Sequence, residues 1–263
     1  MRKALLVAIT FALVLAGCDN GSTEAAGPEF APDQTAEAYI YIHGGYVGQA
    51  IASTNSDGEI SVELDEAFLP HTLAAVDLEE DEWNEDNTVS YVVRGSENFV
   101  AKYIEYNGTN YVGTTVGTSV TYVEADEDGE PAGQQDLELL IIRDQGSMAE
   151  YFDVIQDEGF GIMTEFGGSV EPVTTTSYGQ VTKRGSSYWN FGLGWQGNID
   201  AIESFIAENG FNYNLDDVSR AEEPNDEDLR PWSVADTVTG ATLSDFTDYF
   251  ALAQMALAQL ERN

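Results

Sequence analysis

Near its C-terminus the chain reads Asp236-Thr237-Val238-Thr239-Gly240-Ala241-Thr242-Leu243-Ser244. Gly240 and Ala241 carry so little side chain that another molecule can approach the backbone closely. Thr242 then offers a hydroxyl where a helix is expected to begin. A helix start presents unpaired N–H groups and the positive end of the helix dipole, so the pattern suits a phosphate attached at Thr242. The same residues have a plainer use: Thr242-Leu243-Ser244-Asp245 fits a capping box, in which the Thr hydroxyl takes an orphan N–H and the acid three residues on reaches back. Capping accounts for Thr242 but leaves Asp236 and the Gly240-Ala241 pair unexplained.

Asp-x-x-(Ser/Thr)-Gly-Ala-Thr followed by a hydroxyl-bearing helix start resembles the flavinylation motif of the FMN-binding domain family. That family includes flavin-carrying subunits of sodium-pumping NADH:quinone oxidoreductase and extracellular flavin lipoproteins of bacteria. The resemblance implies that a flavin transferase joins FMN through its phosphate to Thr242, giving a phosphodiester. Asp236, Thr239, Gly240 and Ala241 match the recognition positions, and Ser244 lies in the helix start. A fainter likeness to the family's opening hairpin is carried by Gly44-Gly45-Tyr46-Val47-Gly48-Gln49-Ala50 and Asp57-Gly58-Glu59-Ile60.

Other chemistry finds little support. His43 and His71 are the only imidazoles, and neither His-Glu-x-x-His nor Gly-x-Ser-x-Gly occurs. Cys18 is the single cysteine, which excludes a disulfide within the chain and metal sites built on several cysteines. Tyr188, Trp189, Trp195 and Trp232 read more readily as core or sheet packing than as cofactor neighbours. Trp232, a few residues before the motif, is the favoured neighbour of an isoalloxazine ring.

Ten Lys and Arg face 47 Asp and Glu, a formal net charge of -37. Nucleic acid is excluded as a partner, since its phosphates would be repelled. The acids cluster at 77–82, 124–130 and 222–228; none of these runs has the spacing of a calcium loop, so they read as solvated faces. Such a surface suits a salt-rich medium, which screens the self-repulsion.

At the other end, Met1-Arg2-Lys3 precedes a short apolar run from Ala4 to Val14, which reads as a signal peptide. Leu15-Ala16-Gly17-Cys18 resembles the lipobox of bacterial lipoproteins, which implies cleavage before Cys18 and acylation of that residue. Losing Arg2 and Lys3 takes the charge from -37 to about -39. Residues 1–17 are thus expected as signal, 18–35 as a polar tether, and 36–263 as one FMN-binding-like domain with insertions.

An α+β fold must position the motif. Strands are expected over 39–42, 47–52, 60–64, 89–93, 99–106, 111–116 and 120–123, with a turn at Asn55-Ser56-Asp57-Gly58. Helices are expected after a Ser147 capping box, over Ile199, Ile202, Phe205 and Ile206 up to Asn209-Gly210, and from Leu243 to Leu260. Strands first and helices later argue for an antiparallel sheet with packed helices. These features together lead us to expect a lipid-anchored protein of a bacterial cell or outer membrane, facing outside the cytoplasm. It would pass electrons between redox donor and acceptor proteins or small-molecule acceptors. The alternative is an acidic surface lipoprotein that binds a solute, ion or protein without cofactor.

Overall fold

The computed structural model describes residues 30–42, 45–93, 95–224 and 229–262; the signal segment, Cys18 and His43 lie outside them. The fold is α+β, with five helices and four antiparallel sheets among the described residues. Small and branched residues in the first third build a three-stranded meander of β1 (Thr35–Ile42), β2 (Tyr46–Thr54) and β3 (Ile60–Phe68). The second hairpin turns where expected. Asn55 Oδ1 accepts the N–H groups of Asp57 and Glu59 at 2.9 and 3.0 Å, and Gly58 takes a φ of 76°.

A short helix α1 (Pro70–Leu73) leads into β4 (Ala75–Val76), β5 (Thr88–Val93) and β6 (Ser96–Ala101), a sheet in the order β4-β6-β5. The run from 99 to 106 is not one strand as expected. It breaks at Lys102, whose N–H bonds Asn87 O at 2.9 Å while its carbonyl accepts Gly113 N–H at 2.7 Å, so the chain changes partners there. Beyond the break come β7 (Tyr103–Tyr106), β8 (Thr109–Val116) and β9 (Ser119–Glu124). Helices α2 (Leu137–Ile141) and α3 (Gln145–Gln156) follow, then β10 (Phe160–Met163) and β11 (Glu171–Pro172), which complete a sheet in the order β11-β10-β7-β8-β9. The cap of α3 is Asp144 rather than Ser147. The Asp144 carboxylate accepts Ser147 N–H at 2.8 Å, so the helix opens one turn earlier.

The last third holds α4 (Gly194–Asn209), a small sheet of β12 (Val218–Arg220), β13 (Trp232–Val234) and β14 (Thr237–Val238), and α5 (Phe246–Leu257). Helix α4 ends on Gly210, as its Asn-Gly signal predicts.

The β1–β3 meander divides two apolar cores. On one face Ala38, Ile42, Ala50 and Leu64 pack with Ile199 and Ile202 of α4 and with Phe246, Phe250 and Leu257 of α5; on the other, Tyr39, Val47 and Phe68 pack with Tyr151, Phe152 and Ile155 of α3. Helix and sheet come so close that a Cβ on Gly48 would lie 2.7 Å from Ile42 Cγ1 and 3.0 Å from Leu252 Cδ2. This packing explains the glycine at position 48 without any ligand. Phe30, within the stretch expected as tether, is 3% exposed and bridges to Arg262, so the domain already includes residues 30–35.

Partly buried carboxyl groups link this packing to pH. Burial pushes Asp65, Asp136 and Glu203 upward, and hydrogen bonds and nearby cations only partly offset it. The folded state therefore holds these protons more tightly than the unfolded chain. The resulting stability is gained as pH falls through the raised folded values and lost as pH rises through them. Asp144, lowered mainly by its bonds from Ser147, has the opposite sign. At fixed salt we expect the melting temperature to be higher at about pH 5 than at about pH 7.5; calorimetry showing a lower one would contradict this balance.

Candidate functional site around Thr242

The motif hangs on a tight hairpin. Ala235 and Asp236 form the two-residue turn between β13 and β14 with φ of 46° and 67°, the pairing demanded by a type I′ turn. Asp236 is exposed at the tip. After β14, Thr239 is buried, Gly240 takes a φ of 83°, Ala241 is fully buried and Thr242 is half-buried. The glycine at position 240 is required by that left-handed backbone.

Trp232 clamps this loop. Its N–H donates to Ala241 O at 2.8 Å, its carbonyl accepts the N–H and the hydroxyl of Thr239, both at 2.9 Å, and its indole N–H donates to Leu243 O at 2.7 Å. The indole stacks on Phe246 at 5.4 Å and 12°. Arg220 lies opposite Trp232 in the β12–β13 ladder, so its guanidinium falls 5.5 Å from the centre of the indole ring. From there Nη2 donates to Thr242 O at 2.7 Å.

Asn198 anchors the other side. It is wholly buried on α4, and its Oδ1 accepts Thr242 N–H at 2.6 Å, Leu243 N–H at 3.0 Å and the Thr242 hydroxyl at 3.2 Å. Its amide NH₂ donates to Gly194 O at 2.6 Å, which fixes which way the side chain faces. Thr242 thus has both backbone groups occupied, its hydroxyl donating to Asn198 and its carbonyl bonded by a cation.

Two expectations about this region are corrected. Thr242 does not cap the final helix, which starts at Phe246 with Asp245 in the cap position and no side-chain cap bond. The long-range acceptor on Asn198 takes the Thr242 and Leu243 N–H groups, so the chain stays non-helical for three further residues. The anion-attracting group is likewise not the helix start, which carries Asp245 and Asp248. It is Arg220. Ser244 is exposed, bonds Asp245 Oδ1 at 3.3 Å, and lines an acidic cleft of about 410 Å³ with Tyr41, Asp245, Thr247 and Asp248.

Three other cations have partners of their own. Lys183 is buried against Glu66, Arg184 pairs with Glu203, and Arg230 donates to Ala221 O at 2.8 Å. Arg220 and Asn198 were missed. Asn198 left one signal, a polar residue in the apolar stripe of Trp195, Ile199 and Ile202. His71 Nδ1 lies in hydrogen-bond contact with Glu138 Oε1 at 2.6 Å, a structural use. The chain matches no family model, no curated protein and no solved structure.

Proposed function

We propose that the protein is an extracytoplasmic lipoprotein that carries one FMN, esterified through its phosphate to Thr242, and that it passes electrons between partners. The observation that carries this reading is the construction of the Thr242 loop. Asn198, Trp232 and Arg220 make eight hydrogen bonds with residues 239–243 and hold Thr242, itself half-buried, with a guanidinium on its carbonyl. A helix cap needs none of this, and Thr242 caps no helix.

When bound, the flavin supplies the redox chemistry by accepting one or two electrons; the chain's part is to hold and orient it. Arg220 would offset the phosphodiester charge, which the acids at 245 and 248 would otherwise oppose. Trp232, its ring already stacked on Phe246 and approached by Arg220, serves the loop. Trp189, Phe191 and Leu193, exposed just before α4, the helix that carries Asn198, offer apolar surface for the isoalloxazine ring. A flavin transferase is the required partner, Cys18 the membrane anchor, and Asp236 at the hairpin tip the accessible recognition point. A covalent bond suits a compartment in which a dissociated cofactor is lost by dilution.

The test is colour after denaturation. Protein made alongside an active flavin transferase and an export system should give a fluorescent band on a denaturing gel. A dark band beside a labelled control substrate would favour the cofactor-free binding lipoprotein.

A further inference from the structure

Away from the motif, Glu66 and Lys183 meet in a closed space between the two cores. The segment 181–184 runs antiparallel to β3, with Phe68 N–H bonded to Val181 O at 3.3 Å and Lys183 N–H to Glu66 O at 2.8 Å. Ala67 bridges Thr182, so Glu66 and Lys183 are directly opposed and their side chains share a face. Glu66 is 0% and Lys183 5% exposed. Lys183 Nζ faces Glu66 Oε2, and neither carboxyl oxygen accepts a hydrogen bond of good geometry. The walls are aromatic: Nζ lies 3.3 Å from the centre of the Tyr46 ring and 4.2 Å from that of Tyr188, whose hydroxyls bond each other at 2.6 Å.

We infer that Glu66 and Lys183 are joined by an intramolecular isopeptide bond, formed spontaneously once the domain has folded around them. The reaction is a condensation. The lone pair of a neutral Nζ attacks Cδ of the protonated Glu66, the N–C bond forms, the bond from Cδ to its hydroxyl breaks, and that hydroxyl leaves with a nitrogen proton as water. No oxidant or co-reactant is needed.

The surroundings favour each step. Two charges held away from water are costly here, and burial pushes the Glu66 carboxyl up and the Lys183 ammonium down, toward the neutral acid and neutral amine that react. Strand pairing holds the reacting groups together before the reaction, and such proximity replaces effective concentrations on the order of 10⁵ M or more. The Tyr249 hydroxyl, fixed by the Trp195 indole N–H at 2.9 Å, borders the carboxyl group as the neighbouring proton donor. The product is an uncharged amide, which removes the buried ion pair. It also crosslinks β3 to a segment more than a hundred residues away, in a chain whose one cysteine permits no internal disulfide.

Peptide mass spectrometry of the denatured full-length chain tests this without reference to lipid or flavin. Chymotrypsin, cutting after Tyr46, Phe68, Tyr178 and Tyr188, releases residues 47–68 and 179–188. We expect these as one branched peptide, lighter than their sum by one water, with fragmentation placing the link on Glu66 and Lys183. Lys183→Arg, which keeps a cation but resists condensation, should release the two peptides separately. Separate wild-type peptides at their encoded masses, or a link through another residue, would overturn the inference whether or not the variant folds.

Discussion

Thr242→Val should yield a folded protein with no covalent flavin at all. Valine keeps the shape of threonine but lacks the bridging oxygen of the phosphodiester, so the loss is complete rather than graded. The fold should barely respond. The N–H bonds of Thr242 and Leu243 to Asn198 are untouched, and only the 3.2 Å hydroxyl bond is removed, a loss of about 0.5–1.5 kcal/mol. Thr239→Val makes the contrast. Its buried hydroxyl donates to Trp232 O at 2.9 Å and accepts Ala241 N–H at 3.2 Å, so removing it orphans the buried Ala241 N–H at about 1–3 kcal/mol, while Trp232 O keeps its bond from Thr239 N–H and Thr242 remains to be modified. Flavin content read on denaturing gels, with melting curves in parallel, should therefore separate the pair: no flavin with near-native stability for Thr242→Val, some flavin with lower stability for Thr239→Val. A flavin-bearing Thr242→Val protein would refute the attachment.

Asn198→Leu should produce the largest loss of stability among substitutions at the site. A single side-chain oxygen satisfies the N–H groups of Thr242 and Leu243, and its removal strands both. At about 1–3 kcal/mol for each stranded group, the total is about 2–6 kcal/mol, or a fall of roughly 4–24 °C in melting temperature for a domain of this size. Flavinylation should fall with it, because the loop would no longer hold Thr242 in one place. Asn198→Asp keeps an acceptor but loses the bond to Gly194 O and sets a negative charge beside the phosphodiester. That variant should recover part of the stability while staying poorly flavinylated. Wild-type melting behaviour in Asn198→Leu would show that the Asn198 contacts do not hold the loop.

The elements were legible where one local pattern decided them. The meander strands, the Asn55 turn, the end of α4 at Gly210 and the buried stripe of α5 all follow from alternation, turn chemistry or helical spacing within a few residues. Errors arose where a distant partner competed with a local one. Thr242 has every attribute of a cap, but Asn198, 44 residues earlier, takes its N–H, and the helix waits for Phe246. Ser147 reads as a cap, but Asp144 is a stronger acceptor three residues before it. Lys102 sits in an unbroken β-forming run, yet two different neighbours claim its N–H and C=O, and the run divides between sheets.

The site was half legible for the same reason. Asp236, Thr239, Gly240, Ala241 and Thr242 are contiguous, so their types and order speak for themselves. Arg220 reaches Thr242 only through the pairing of β12 with β13, and Asn198 only through the packing of α4. No spacing rule connects either to the motif.

The measurement that bears most directly on the central claim is site mapping on the wild-type chain. The protein should be made with an active flavin transferase and export system, denatured, digested, and the peptide containing Thr242 sequenced by mass spectrometry. One FMN joined through its phosphate, with the fragment masses placing it on Thr242, is the predicted result. An unmodified Thr242 peptide from cells that flavinylate a control substrate, or FMN on another residue, would contradict it.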